Sequence, residues 1–191
     1  SLPLVDKPIY QKINKKLTDV FGGEFREIVI GGAPLSEDVE TFLRKIKFKY
    51  TIGYGMTECG PLISYSGWQK TKYRSAGQVV DTLDIKIDAD EDNKEVGEIL
   101  VRGENIMEGY YKNPEATAKA IDKDGWLHTG DLGMVDDEGF VFINGRSKSL
   151  ILGPSGENIY PEEIESKINN LPHVMESLVL PDDNKLVALV Y

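Results

Sequence analysis

A strand–helix–strand pattern between Phe25 and Ile52, with glycines closing both strands, constrains the fold of this chain most. Phe25 to Ile30 reads as a short buried strand and runs into Gly31-Gly32-Ala33-Pro34. Phe48 to Ile52 reads as a second and runs into Gly53-Tyr54-Gly55. Between them, Ser36 is placed to cap a helix, with Glu37 and Asp38 in its positive first turn. Val39, Phe42, Leu43 and Ile46 give that helix one apolar face. Such a unit is the signature of an α/β layer, and ligands collect at the carboxyl ends of its strands. Upstream, Ile9, Ile13, Leu17 and Val20 line one face of a helix expected over 7–21, which Gly22-Gly23 stops.

Beyond residue 75 the texture is β-rich. Strands are expected over 78–89, 97–103 and 139–145, arranged as a small sheet or barrel. The run 89–95 (ADEDNKE) is too polar to pack and is expected as an exposed connection. Asn113 and Pro114 mark the start of a short helix to Ile121. After Arg146 a brief strand, a Gly153-Pro-Ser-Gly156 turn, a helix opened by Pro161-Glu-Glu and two strands, 177–180 and 185–191, are expected. The last breaks off within an apolar run.

Charge divides the chain in the same place. Residues 1–75 carry 12 Lys+Arg against 8 Asp+Glu, whereas 76–191 carry 10 against 24. Two units with different surfaces follow, and the acidic one argues against nucleic acid, which needs cations. The longest apolar run, Leu186 to Tyr191, is far short of a membrane span, and the first residues lack the pattern of a signal peptide. The single cysteine, Cys59, excludes an internal disulfide and fits a reducing compartment. Cys59, His128 and His173 are too few and too scattered for a zinc site of usual spacing, and no serine sits in a nucleophile elbow. Neither a Walker phosphate loop nor a dinucleotide fingerprint is present.

The chemistry-bearing residues lie on glycine-rich turns. Thr57 and Glu58, following Gly53-Tyr54-Gly55-Met56, put a hydroxyl beside a carboxylate where the backbone is bare. The hydroxyl can donate to a phosphoryl oxygen and the carboxylate can supply a hard ligand to Mg²⁺. Tyr54 offers a flat face to a nucleotide base. Gly32, Ala33 and Pro34 allow close approach of a flat ligand. Asp131, in Gly125-Trp-Leu-His-Thr-Gly-Asp-Leu-Gly133, is a carboxylate expected on a glycine-flanked turn, suited to gripping two sugar hydroxyls. Arg146 leaves the strand before it as a forked donor, and Lys148 follows.

In their order and spacing these segments, with Gly97-Glu-Ile-Leu-Val-Arg-Gly103, Gly109-Tyr-Tyr-Lys-Asn-Pro-Glu-Ala-Thr117 and Gly156-Glu-Asn-Ile-Tyr-Pro-Glu-Glu-Ile-Glu165, closely resemble the acyl-adenylate-forming superfamily. That superfamily includes acyl-CoA synthetases, luciferases and the adenylation domains of peptide synthetases. The resemblance implies that Gly32, Ala33 and Pro34 line an adenine pocket and that Tyr54, with Gly53, Gly55 and Met56 around it, stacks on the base. It implies further that Thr57 contacts the α-phosphate, Glu58 holds Mg²⁺, Asp131 binds the ribose hydroxyls and Arg146 makes another nucleotide contact. Lys148 falls at the family's hinge. The implied fold is α/β plus β-rich: residues 1–75 end a large α/β nucleotide-binding unit, 76–145 form a small β-barrel-like subdomain, and 146–191 hold the hinge and the start of a small α+β C-terminal domain. The implied reaction is activation of a carboxylic acid by ATP and Mg²⁺, then transfer of the acyl group to coenzyme A.

The sequence departs from the family in three ways. The glycine/serine/threonine-rich phosphate loop that precedes Gly31 in the family is missing, as is the lysine near the family's C-terminus. The turn at 153–156 is one residue longer than usual, and Ser149 stands where an acidic residue is common. The expectation is therefore a piece of a fatty-acid–CoA ligase, inactive by itself, from a cytoplasmic enzyme with peripheral membrane association left open. Its alternatives are an amino-acid adenylation domain and a non-catalytic nucleotide-binding module.

Overall fold

The computed structural model describes residues 3–89, 96–153, 157–182 and 185–191. The polar connection expected at 89–95 and the turn expected at 153–156 therefore lie, apart from Ala89 and Gly153, outside the described residues.

Helix α1 (Pro3–Val20) begins four residues before the expected start and ends as the glycines dictate. Gly22 and Gly23 take φ of 88° and 83°, which a side chain would resist. Their N–H groups return to the carbonyls of Asp19 and Thr18, the paired bonds that close a helix C-terminus. The inward face is Tyr10, Ile13 and Leu17, whereas Ile9 and Val20 stay exposed.

Strands β1 (Ile28–Ile30) and β2 (Tyr50–Ile52) pair in parallel, Ile28 opposite Tyr50, with α2 (Glu37–Lys45) as their crossover. Both strands are shorter than their apolar runs. The helix also differs from its expected form. Leu43 and Ile46 are buried with Phe48 and Tyr50, but Val39 and Phe42 are exposed. Glu40 turns inward instead, because Tyr50 Oη (3.2 Å) and the Arg74 N–H (3.1 Å) both donate to its carboxylate and Arg44 pairs with it. Ser36 makes no capping bond. Its hydroxyl donates to Asn170 Oδ1 at 2.9 Å, tying α2 to a helix far along the chain.

Strands β3 (Tyr54–Gly55), β4 (Leu62–Tyr65) and β5 (Gln78–Val79) form a small antiparallel sheet. The strand expected over 78–89 is broken, its second part being β6 (Leu83–Asp88). With β7 (Gly97–Gly103), β8 (Leu127–Val135) and β9 (Val141–Arg146), β6 forms a four-stranded antiparallel meander. This sheet is open: β6 and β9 are its two edges, so the expected barrel does not close. Between β7 and β8 lies α3 (Pro114–Ala120), capped as expected, Asn113 Oδ1 accepting the Ala116 N–H at 3.0 Å. Cys59 and Ile63 share one core with Leu83, Ile99, Val101, Leu127 and Val141. That shared core fixes the Thr57–Glu58 turn against the meander.

Strands β10 (Ile151–Leu152) and β11 (Asn158–Ile159) form a short antiparallel pair, and α4 (Pro161–Asn169) follows. Strands β12 (Ser177–Asp182) and β13 (Lys185–Val190) are antiparallel, with Ser177 opposite Val190. Glu165 of α4 accepts the Val179 N–H at 2.7 Å, and Val179 is buried there.

Candidate functional site

The two glycine turns meet because the strands before them pair. The Gly53 N–H donates to the Ile30 carbonyl at 2.9 Å, so the segments after β1 and β2 leave the sheet side by side. A Cβ on Gly31 would stand 3.0 Å from the Gly53 carbonyl oxygen, and one on Gly55 would fall 1.9 Å from that of Pro61. Gly55 must therefore be glycine for the chain to fold back into β4. The Met56 N–H donates to the same Pro61 oxygen at 2.8 Å. Thr57 and Glu58 occupy the single 3₁₀ turn so made, Thr57–Cys59.

Three contacts from the segment after β7 hold this turn. The Met107 N–H donates to the Glu58 carbonyl at 2.8 Å, and Asn105 Nδ2 to that of Cys59 at 2.6 Å. Tyr110 Oη donates to Glu58 Oε1 at 2.9 Å, the one hydrogen bond given to that carboxylate among the described residues. The Cys59 thiol beneath is fully buried, and burial first, then the Glu58 charge, pushes its pKa up to about 12. It is packing and not a nucleophile.

Asp131 is not on a turn. It lies inside β8, and the glycines around it serve a bulge, Gly130 taking φ of 73°. Asp131 stands directly opposite Arg146 of β9, so the two side chains share a face. Arg146 Nε is 3.4 Å from Asp131 Oδ1, and Tyr54 Oη donates to Oδ2 at 2.7 Å. Burial, then the Asp131 charge, holds the Tyr54 phenol well above its ordinary pKa, so it remains a donor. Nothing in the sequence links Tyr54 to Asp131, 77 positions away. The Tyr54 ring also packs against the meander core.

A cleft of about 430 Å³ opens between these parts. The motif turn contributes Gly55, Met56, Thr57 and Glu58. Asp131 of β8 comes with Thr129 and Gly130 beside it, and Arg146 and Lys148 complete the lining. Gly32, Ala33 and Pro34 are exposed at the end of β1 and do not line it, nor do Gly53 and Tyr54. A larger, shallower depression of about 560 Å³ is lined by much of the Gly109–Thr117 motif, including Tyr110, Lys112 and Thr117, but by none of the candidate site residues. Glu98, Thr129 and Tyr110, which support the cleft, escaped the sequence reading. Each lies inside one of the glycine-bounded motifs of the sequence, which by itself assigns it no role.

The cleft mixes two carboxylates with two cations. Such a surface suits a ligand with hydroxyls at one end and phosphate at the other. Among the described residues no group of three or more His, Cys, Asp or Glu could hold a metal ion. Mg²⁺ nevertheless fits Glu58, because Mg²⁺ is commonly held by one or two carboxylates plus substrate phosphates and water.

Comparison with known proteins identifies the family. Residues 5–111 match the sequence profile of the family described as AMP-binding enzyme. The chain is 37% identical over 201 residues to 4-coumarate-CoA ligase 2 of Narcissus pseudonarcissus, with 99% of the chain and 34% of that protein covered. It is 35% identical over 162 residues to the long-chain-fatty-acid–CoA ligase ACSBG1 of Rattus norvegicus, covering 84% of the chain and 22% of that protein. The solved structure of O-succinylbenzoate coenzyme A synthetase from Bacillus subtilis, in complex with ATP and magnesium ion, superimposes with a TM-score of 0.73 at 33% identity. That match covers 93% of the chain and 39% of the synthetase. The chain thus spans about a third or less of the length of these curated relatives. By its profile, its cleft and its relatives, the chain belongs to the AMP-binding enzyme family, within the acyl-adenylate-forming superfamily of CoA ligases.

Proposed function

We propose that this chain is part of a longer acid–CoA ligase and supplies one wall of its nucleotide site. In that enzyme 1–75 end the nucleotide-binding unit, 76–145 form the β-rich unit, and 146–191 begin the small C-terminal unit, with Lys148 at the hinge. The observation that carries the proposal is the cleft in which Thr57 and Glu58 face Asp131 and Arg146. In the proposed reaction a carboxylate oxygen attacks the α-phosphorus of ATP, giving acyl-adenylate and pyrophosphate. The thiol of coenzyme A then attacks the acyl carbon and AMP leaves.

Each residue has a part that its position supports. Thr57, exposed at the turn, would donate its hydroxyl to the α-phosphoryl oxygen. Asp131, its two oxygens already directed by Tyr54 and Arg146, would accept from the ribose hydroxyls. Gly32, Ala33 and Pro34, beside Gly53, would line the adenine. Tyr54 would meet the base with its ring while its hydroxyl holds Asp131. Glu58, oriented by Tyr110, would hold Mg²⁺. Bound there, Mg²⁺ would neutralise phosphate charge during transfer.

The proposed acid is a fatty acid, supported by the likeness to the rat long-chain ligase. The likeness to the 4-coumarate ligase supports an aromatic acid to a similar degree. The proposed compartment is the cytoplasm; among the described residues no helix is long and apolar enough to cross a membrane. The test is acyl-CoA formation by the whole protein that carries this chain, with ATP, Mg²⁺, coenzyme A and a panel of fatty and aryl-propenoic acids. The proposal predicts acid-dependent AMP release with at least one of them. AMP release indifferent to every acid would overturn it.

A further inference from the structure

The bulge that carries Asp131 has a support of its own. Strands β7 and β8 pair at Glu98–Leu132 and again at Leu100–His128, so Thr129, Gly130 and Asp131 all stand against Ile99 alone. Extra residues in a strand leave backbone groups without ladder partners, and these must be satisfied by other means. Side chains do so here. Thr129 Oγ1 donates to the Ile99 carbonyl at 2.7 Å and accepts the Asp131 N–H at 3.1 Å. Ser147 Oγ donates to the Gly130 carbonyl at 3.1 Å. Glu98 Oε1 accepts the Gly130 N–H at 2.9 Å, and its Oε2 lies 3.0 Å from His128 Nδ1.

Glu98 is therefore clasped at both oxygens, once by the bulge and once by the residue that precedes Thr129. A charge-assisted bond to a backbone N–H is roughly twice as strong as a neutral one. Its partner Gly130 is the residue whose left-handed φ sets the direction of Asp131. Asp122, 3.9 Å from His128 Nε2, faces the other side of the imidazole and keeps the ring in line with Glu98.

We infer that Glu98 is a positioning residue for nucleotide selection: by holding Gly130 it aims the Asp131 carboxylate at the sugar, and so sets the preference for ribose over deoxyribose. This rests on the reading of Asp131 as the ribose ligand. The reach of the side chain, not its charge alone, is what the geometry requires. Aspartate is one methylene too short to span from β7 to Gly130, whereas glutamine keeps the length and an accepting oxygen.

The test is calorimetric binding of AMP, 2′-deoxy-AMP and 3′-deoxy-AMP to the whole protein carrying this chain, for wild type, Glu98→Asp, Glu98→Gln and Asp131→Ala. Thermal melts identify folded variants. The wild type is expected to prefer AMP on the order of tenfold, the scale of one hydrogen bond to a charged group. Glu98→Asp should cut that preference at least threefold, and Glu98→Gln should restore most of it. A merely electrostatic role reverses the order of the two variants and overturns the inference. If Asp131→Ala loses the preference while Glu98→Asp keeps it in full, the inference falls and the reading of Asp131 stands. If Asp131→Ala itself keeps the preference, both fall. Should Glu98→Asp not fold, Glu98→Gln decides, since loss of the preference in that folded variant contradicts a role carried by reach.

Discussion

Cys59 shows how much a neighbouring pair of residues can differ in purpose. Glu58 faces the cleft with a carboxylate; Cys59, one position on, is fully buried in the core that holds the turn. Its pKa of about 12 in the fold exceeds that of a free thiol, about 8.5. The folded chain therefore keeps this proton where the unfolded chain loses it. Below about pH 8.5 both forms are protonated and the difference has no effect. From there up to about 12 the native state binds more protons than the unfolded one, so stability falls as pH rises, by at most about 1.4 kcal/mol per unit. Two results are expected in the whole protein. Cys59 should stay unreactive to an aromatic disulfide reagent at pH 8 until denaturant is added, and a Cys59→Ala variant should lose part of the alkaline destabilisation. Rapid labelling of native Cys59 would contradict the buried placement.

At the scale of elements, α3 and β8 show opposite degrees of legibility. The start of α3 could be read directly, because Asn113 and Pro114 act locally: one caps with its own side chain and the other lacks the N–H that would go unbonded. Asn113→Ala should cost the fold about 1 kcal/mol, seen as a lowered denaturation midpoint with unchanged slope; no change would show that the cap is replaced by water. Strand β8 was hidden for a physical reason. Its glycines suggest a turn, yet Gly130 serves a bulge inside a nine-residue strand whose pairing is set by β7 and β9. The sequence also marks an apolar face on α2 but not the preference for Glu40 inside, since Tyr50 and the Arg74 backbone come from far along the chain. Short-range signals were legible at Asn113, though not at Ser36, whose hydroxyl is taken by Asn170. Partnerships across strands were not.

For the whole molecule, the arrangement explains why scattered motifs belong together. The Thr57–Glu58 turn is anchored through Cys59 and Ile63 in the core of the meander, and the same meander presents Asp131 and Arg146 to that turn. The order of motifs in the sequence announced the family, and the glycines announced where backbone comes close. That Gly32–Pro34 stands outside the cleft could not be read, because it depends on how the β1–β2 pair packs against the rest of the chain. Membership of the AMP-binding enzyme family makes adenylation the central claim. It is tested most directly by acid-dependent exchange of labelled pyrophosphate into ATP, measured on the whole protein with and without Glu58→Ala. The account predicts exchange that requires both an acid and Mg²⁺ in the wild type. In the variant, the exchange should fall at least a hundredfold while the melting temperature is held. Exchange that survives Glu58→Ala at full rate would contradict it.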